Sequence, residues 1–192
     1  MIKKNKTYSS RGGRLPGDPA NKCIVERIIR VDQAGEYGAV RIYEGQLKVL
    51  GKSKNSSIIE EMLDQEVKHY ETFSNILTNR RVRPTALMPI WHLAGFALGA
   101  GTALMGEKAA MACTVAVEEV IEEHYASQIK KLESMDVDEK ELKETCAKFR
   151  QEELEHRDSG IEHGARETLG YNGLSALVKT GSRIAIWLSE RI

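Results

Sequence analysis

Apolar residues recur at helical spacing along most of this 192-residue chain, and acids interrupt the stripes they form. From Lys22 to Leu50 the stripe reads Val25, Ile29, Asp32, Glu36, Val40, Tyr43, Leu47, Leu50, so two carboxylates stand where a helix would bury them. A second helix is expected from Ser57, with Glu60 completing a capping box, to about Asn79; its inward stripe is Ile59, Met62, Leu63, Glu66, His69, Phe73, Leu77. A third covers about Lys108 to Glu133 along Val115, Glu118, Ile121, Tyr125, Ile129 and Leu132. The fourth runs from an Asp138 cap to about Glu167 along Leu142, Cys146, Phe149, Glu153, His156 and Gly160.

Two stretches depart from that pattern. Residues 86–106 carry no acidic or basic charge and are about long enough to span a bilayer, but Pro89 and Gly95, Gly99 and Gly101 weaken a continuous helix. A hairpin or surface-embedded segment is expected there. After Gly170 and Gly173, Leu174, Leu177, Val178, Ile184, Trp187, Leu188 and Ile192 line one side of a final amphipathic helix. Lys179, Arg183 and Arg191 flank that side, as in helices lying on a membrane.

Lys+Arg and Asp+Glu both number 28, so the balance points to no polyanionic partner such as nucleic acid. Cys23, Cys113 and Cys146 are odd in number and form no CxxC pair, which argues against a disulfide framework and for a reducing compartment. Residues 1–20 begin with Lys3, Lys4, Lys6, Arg11 and Arg14 and lack the apolar run of a signal peptide. They read as a disordered basic tail before a single domain at 21–192.

Two histidines have a glutamate three residues earlier, Glu66 with His69 and Glu153 with His156, and such positions share a helix face. The full order is Glu36, then Glu66-x-x-His69; Glu118, then Glu153-x-x-His156: an internal repeat of a helix pair. This is the inventory known for di-iron and di-manganese carboxylate bundles. Four carboxylates would neutralise two divalent cations in a core where unpaired acids are costly, and so oxygen-rich a set suits iron or manganese. Taken singly, an inward Glu or His is more often an ion-paired or hydrogen-bonded core residue; four acids in register carry the metal reading. The expected fold is all-α, a ferritin-like four-helix bundle with an apolar inter-helix segment and a C-terminal amphipathic helix. His124 and Tyr125, beyond Glu118, are candidates for hydrogen-bonding the ligands or relaying protons and electrons, with a surface His and a core Tyr as the plain alternative.

The chain resembles the demethoxyubiquinone hydroxylase family of ubiquinone biosynthesis in RIIRVDQAGEYGAVRIYEGQ at 27–46, DQEVKHY at 64–70, the run from RVRPTALMPIW to GAGTALMG at 81–106, AMACTVAVEE at 110–119, FRQEELEHRD at 149–158 and RIAIWLSERI at 183–192. The resemblance implies that Glu36, Glu66, His69, Glu118, Glu153 and His156 bind two iron ions. It also implies hydroxylation of a demethoxyubiquinol ring with dioxygen as co-substrate. The implied partners are a polyprenyl quinol and a membrane surface, the latter the cytoplasmic face of a bacterial inner membrane or else the matrix face of the mitochondrial one. A complex with other ubiquinone-biosynthesis proteins and a homo-oligomer are both compatible with it. NADH or another reductant is implied too, although the chain has no GxGxxG fingerprint. Two rivals stand beside this reading: a ferritin-like ferroxidase or peroxidase, which has no use for the apolar segment, and a non-catalytic membrane-peripheral scaffold.

Overall fold

Long stripes free of internal proline fold as long helices, because each residue added contributes a hydrogen bond once the first turn exists and the stripe finds a surface to bury against. The computed structural model describes residues 20–135 and 138–192. In chain order it contains α1 (Asn21–Leu50), α2 (Ser56–Asn79), α3 (Met88–Leu104), α4 (Glu107–Glu133), α5 (Lys140–Glu162) and α6 (Tyr171–Ser189). A single 3-10 turn at Ala165–Glu167 precedes α6, and there is no strand among the described residues. The basic tail expected at 1–20 lies, through residue 19, outside the described residues.

Short loops make α1 and α2 one hairpin and α4 and α5 another, and the two hairpins close a ferritin-like four-helix bundle. Apolar clusters occupy both ends. Ile29, Phe73, Tyr125, Leu142 and Phe149 fill one, where Phe73 meets Phe149 edge-on with centroids 5.7 Å apart; Tyr43, Ile59, Met62, Met111 and Val115 fill the other. Burial of each large side chain is worth roughly 1.5–3 kcal/mol, so the ends hold the hairpins together and leave the middle free for polar residues.

Helix boundaries differ from expectation at three caps. α5 starts at Lys140 after Glu139 and not on the expected Asp138 cap; Asp138 stands one residue further out, its Oδ1 accepting from Lys140 N at 3.3 Å. α2 starts at Ser56 after Asn55, and no side chain caps it; Asn55 Nδ2 instead donates to Glu107 at 3.0 Å, while Ser57 is exposed inside the first turn. α5 ends at Glu162, not near Glu167, because Gly164 takes a left-handed φ of 85° that turns the chain into the 3-10 turn.

The segment expected as a hairpin or a surface-embedded stretch is not a hairpin but a continuous helix, α3. Pro89 sits in its first turn, where its missing N–H has no intrahelical partner to lose. The glycines serve close packing on α1: a Cβ added at Gly95 would lie 2.9 Å from Gly38 O, and one at Gly99 would collide with Ile42 O. Reading glycine only as a helix weakener, at about 1 kcal/mol each, missed the contact that offsets the loss.

α6 packs on α4 through Leu174 and Val178, against Cys113, Ala116 and Val117. Its expected single apolar stripe therefore divides, with Leu177, Ile184 and Trp187 turned outward. The basic flank is also less free than expected. Lys179 pairs with Glu119, Arg183 with Glu123 at 3.0 Å, and Arg191 lies over the Trp187 ring at 4.3 Å. Trp91 Nε1 donates to Ser189 Oγ at 3.0 Å, tying the start of α3 to the end of α6. Between these two helices a groove of about 390 Å3 opens over α1 and α4, with Gly35 and Ile121 on its lining. Among the described residues no helix is long and apolar enough to cross a membrane.

Candidate metal centre

Helical periodicity aims Glu36 from α1, Glu66 and His69 from α2, Glu118 from α4, and Glu153 and His156 from α5 at the middle of the bundle, and all six are buried. They form two overlapping groups whose ligand atoms lie within 4.8 Å of one another: Glu36, Glu66, His69, Glu153, and Glu66, Glu118, Glu153, His156. The shared glutamates divide their oxygens between the groups. His69 Nδ1 lies 3.9 Å from Glu66 Oε2 and 3.2 Å from Glu153 Oε1, whereas His156 Nδ1 lies 3.1 Å from Glu66 Oε1 and 3.3 Å from Glu153 Oε2. Glu66 and Glu153 are thus placed to bridge, while Glu36 and Glu118 stand at the outer ends.

The imidazoles are oriented from behind. His69 Nε2 donates to Glu152 Oε2 at 2.8 Å and His156 Nε2 to Gln65 Oε1 at 2.7 Å, which leaves each Nδ1 lone pair facing the carboxylates. The outer glutamates are held crosswise: Tyr43 Oη donates to Glu118 Oε1 at 2.8 Å and Tyr125 Oη to Glu36 Oε1.

Both oxygens of Glu66 and of Glu153, Oε2 of Glu118, and Nδ1 of His69 and His156 are buried without a hydrogen-bond partner among the described residues. Four acids and two lone-pair nitrogens converging in this way fit a pair of divalent cations. Without cations, protons must balance the charge. Burial, reinforced by the Glu153 charge, pushes Glu66 and Glu118 well above the usual carboxylate range, and burial also raises Glu36. Burial opposes ionisation of Glu153 as well, but the close approach of the His156 and His69 imidazoles holds it down to about 2. Burial favours neutral His69, yet the Glu153 and Glu36 carboxylates beside its Nδ1 lift it to about 12.

The two further candidates separate. Tyr125 touches Glu36, whereas His124 points into a neighbouring polar cluster, 3.6 Å from Asp32 and 2.7 Å from the Gln128 amide. Sequence reasoning missed Tyr43, Gln65 and Glu152 as polar supports of the centre. A signal existed for each: Tyr43 and Tyr125 both lie two turns beyond the glutamate of their own helix, and Gln65 and Glu152 both immediately precede a Glu-x-x-His.

A four-helix bundle with two Glu-x-x-His helices and two further inward glutamates is the architecture of the ferritin-like two-metal carboxylate class. Within that class the model of the family described as ubiquinone biosynthesis protein COQ7 matches residues 23–189, and the chain belongs to that family. It is 56% identical over 180 residues to a 3-demethoxyubiquinol 3-hydroxylase of Rhodospirillum rubrum, covering 93% of this chain and 84% of the relative. It is 51% identical over 183 residues to an NADPH-dependent 3-demethoxyubiquinone 3-hydroxylase, mitochondrial, of Homo sapiens, covering 95% and 84%. To a 5-demethoxyubiquinone hydroxylase, mitochondrial, of Saccharomyces cerevisiae it is 42% identical over 187 residues, covering 90% and 80%.

Proposed function

We propose that this chain is a monooxygenase that hydroxylates the ring of a demethoxyubiquinol with dioxygen in ubiquinone biosynthesis, using two iron ions held by Glu36, Glu66, His69, Glu118, Glu153 and His156. The observation that carries the reading is the convergence of those six buried side chains, with unpartnered inward atoms on all but Glu36, in a chain of this family. Bound iron supplies the electron transfer and dioxygen activation that side chains lack.

The chain's own residues do the rest. Glu66 and Glu153, common to both groups of donors, would serve both metals, and the Glu152 and Gln65 acceptors keep both imidazoles in the tautomer that presents Nδ1. Tyr43 and Tyr125 donate to one oxygen of Glu118 and of Glu36, which favours the carboxylate form and fixes how each glutamate is turned, and the aromatic cluster of Phe73 and Phe149 keeps water from one end of the site. The groove between α3 and α6 is lined by Ile42, Leu98 and Ile186 and suits an isoprenoid tail; its lining includes Gly35, the residue before Glu36 on α1. The exposed apolar residues beside it suit a peripheral position on a membrane, and the free cysteines suit the reducing, cytoplasmic face of a bacterial inner membrane or its mitochondrial counterpart, the matrix face. The reductant is a nicotinamide, as the names of several relatives state for those proteins, docking without a GxGxxG loop.

The test is turnover of the iron-loaded full chain on demethoxyubiquinol in vesicles under dioxygen, with reductant supplied. Ring hydroxylation in step with dioxygen use is the expected result. Iron oxidation or peroxide consumption without a hydroxylated quinol would make the chain a ferroxidase or peroxidase, and failure to bind iron would leave the scaffold reading.

A further inference from the structure

The two halves of the centre are built alike in their proposed ligands and in the pattern of polar contacts that cross between helices, and one of those crossing contacts differs in charge. In each Glu-x-x-His motif the residue just before the glutamate reaches across to the histidine of the opposite helix, and the two tyrosines cross in the same way. The residue that crosses from α2 is the amide of Gln65, 2.7 Å from His156 Nε2; the one from α5 is the carboxylate of Glu152, 2.8 Å from His69 Nε2. An imidazole that donates to a carboxylate carries more electron density on its other nitrogen than one that donates to an amide oxygen, and is the stronger metal donor. Lys148 Nζ, 3.6 Å from the second oxygen of Glu152, balances that carboxylate from the solvent side and leaves its inner oxygen on His69.

We infer that Glu152 and Gln65 make the two metal positions unequal, so that the position at Glu36 and His69 binds a divalent ion more tightly than the one at Glu118 and His156 and fills before it. The inference rests on the two-metal reading and adds an order of filling to it. Glu152 is then a positioning residue that would act on the metal through His69, and a carboxylate in place of a carbonyl at corresponding positions of α5 and α2 would give two similarly built sites different affinities.

The experiment is a titration of the metal-free full chain with Mn(II), following free Mn(II) by electron paramagnetic resonance. Two binding steps are expected, with the tighter lost in His69→Ala and the weaker in His156→Ala. Glu152→Gln weakens the tighter step by about 10-fold or more and leaves the other in place. Gln65→Glu strengthens the weaker step, and the double exchange makes His156→Ala the variant that loses the tighter one. Gln and Glu have nearly the same shape, so helicity should match wild type; if Glu152→Gln fails to fold, the Gln65→Glu result decides. Equal constants in the wild type, or an equal shift of both steps in Glu152→Gln, the mark of a through-space charge, overturn the inference while the two-metal reading stands. Fewer than two ions per chain overturn both.

Discussion

Between α2 and α5 the bundle buries Glu66 and Glu153 with no lysine or arginine paired to them among the described residues, while along α3 and α6 it exposes Leu93 (70%), Leu104 (76%), Leu177 (72%) and Trp187 (54%). Ordinary proteins avoid both arrangements, since a buried acid must be paired or protonated and a helix normally turns its apolar face inward. The two regions answer different needs. The interior is complementary to positive charge, a Coulombic demand that protons can meet in part and that therefore varies with pH. The flank is complementary to apolar matter, a demand set by area and indifferent to proton concentration. Changes to one should leave the other intact.

The largest separation should come from Glu153→Ala, which deletes a bridging ligand. We expect iron to fall below one per chain and hydroxylation to drop by at least about 100-fold, with binding to vesicles unchanged in a sedimentation assay. Full activity with two irons would remove Glu153 from the centre. The converse variant is Leu93→Glu with Trp187→Glu. At about 1.5–3 kcal/mol for each large side chain withdrawn from lipid, vesicle affinity should fall by at least about a hundredfold while iron content holds, and turnover of a long-chain quinol should suffer more than that of a short-chain analogue. Equal losses on both substrates would assign these side chains to the fold.

A smaller effect concerns pH. Glu66 and Glu118 have folded-state values raised above the ordinary 4.5, so the stability they contribute is complete below that value and is lost as pH rises through the raised ones. Glu153, lowered to about 2, acts in the opposite sense, and its contribution disappears only as pH falls through that value. Metal-free protein should therefore melt several degrees lower at about pH 8 than at about pH 5, and iron should abolish the difference because metal replaces the protons. A metal-free melting point that is flat or rises with pH would contradict the charge balance drawn for the centre.

The smallest effect is also the sharpest, because Glu118 and Glu119 are neighbours on α4 that belong to different regions. One step along a helix turns a side chain by about 100°, so Glu118 faces the centre while Glu119 reaches Lys179 on α6. Glu119→Ala should cost no more than about 1 kcal/mol and keep its iron, whereas Glu118→Ala should lose iron. Reversed outcomes would mean that the register of α4 is misread.

The interior was far more legible in the sequence than the flank. Every proposed ligand lies on an apolar stripe of period 3.6, and a stripe interrupted by acids in a repeated order can be recognised without coordinates. The second buried face of α1 is made of Ala34, Ala39 and Gly45 with Val31 and Ile42, and small residues leave little hydrophobic contrast to read. For the same reason Gly95 and Gly99 suggested a break where they in fact allow α3 to touch α1. The ion pairs of Lys179 and Arg183 were hidden because a basic residue beside an apolar stripe looks the same whether it faces lipid headgroups or a neighbouring helix. Gln65 and Glu152 were overlooked although they stand next to the motif, since their targets lie on the opposite hairpin.

Each proposed metal group draws on both hairpins: Glu153 completes the set of Glu36, Glu66 and His69, and Glu66 completes that of Glu118, Glu153 and His156. During synthesis the first hairpin leaves the ribosome long before α5 exists, and until then it offers a metal only three of four donors. On the two-metal reading, iron would be captured with full affinity only after α5 has docked, so loading would report that the two hairpins have found each other. Parting of the hairpins would then release the metal, while the apolar clusters at both ends let the bundle hold together without it.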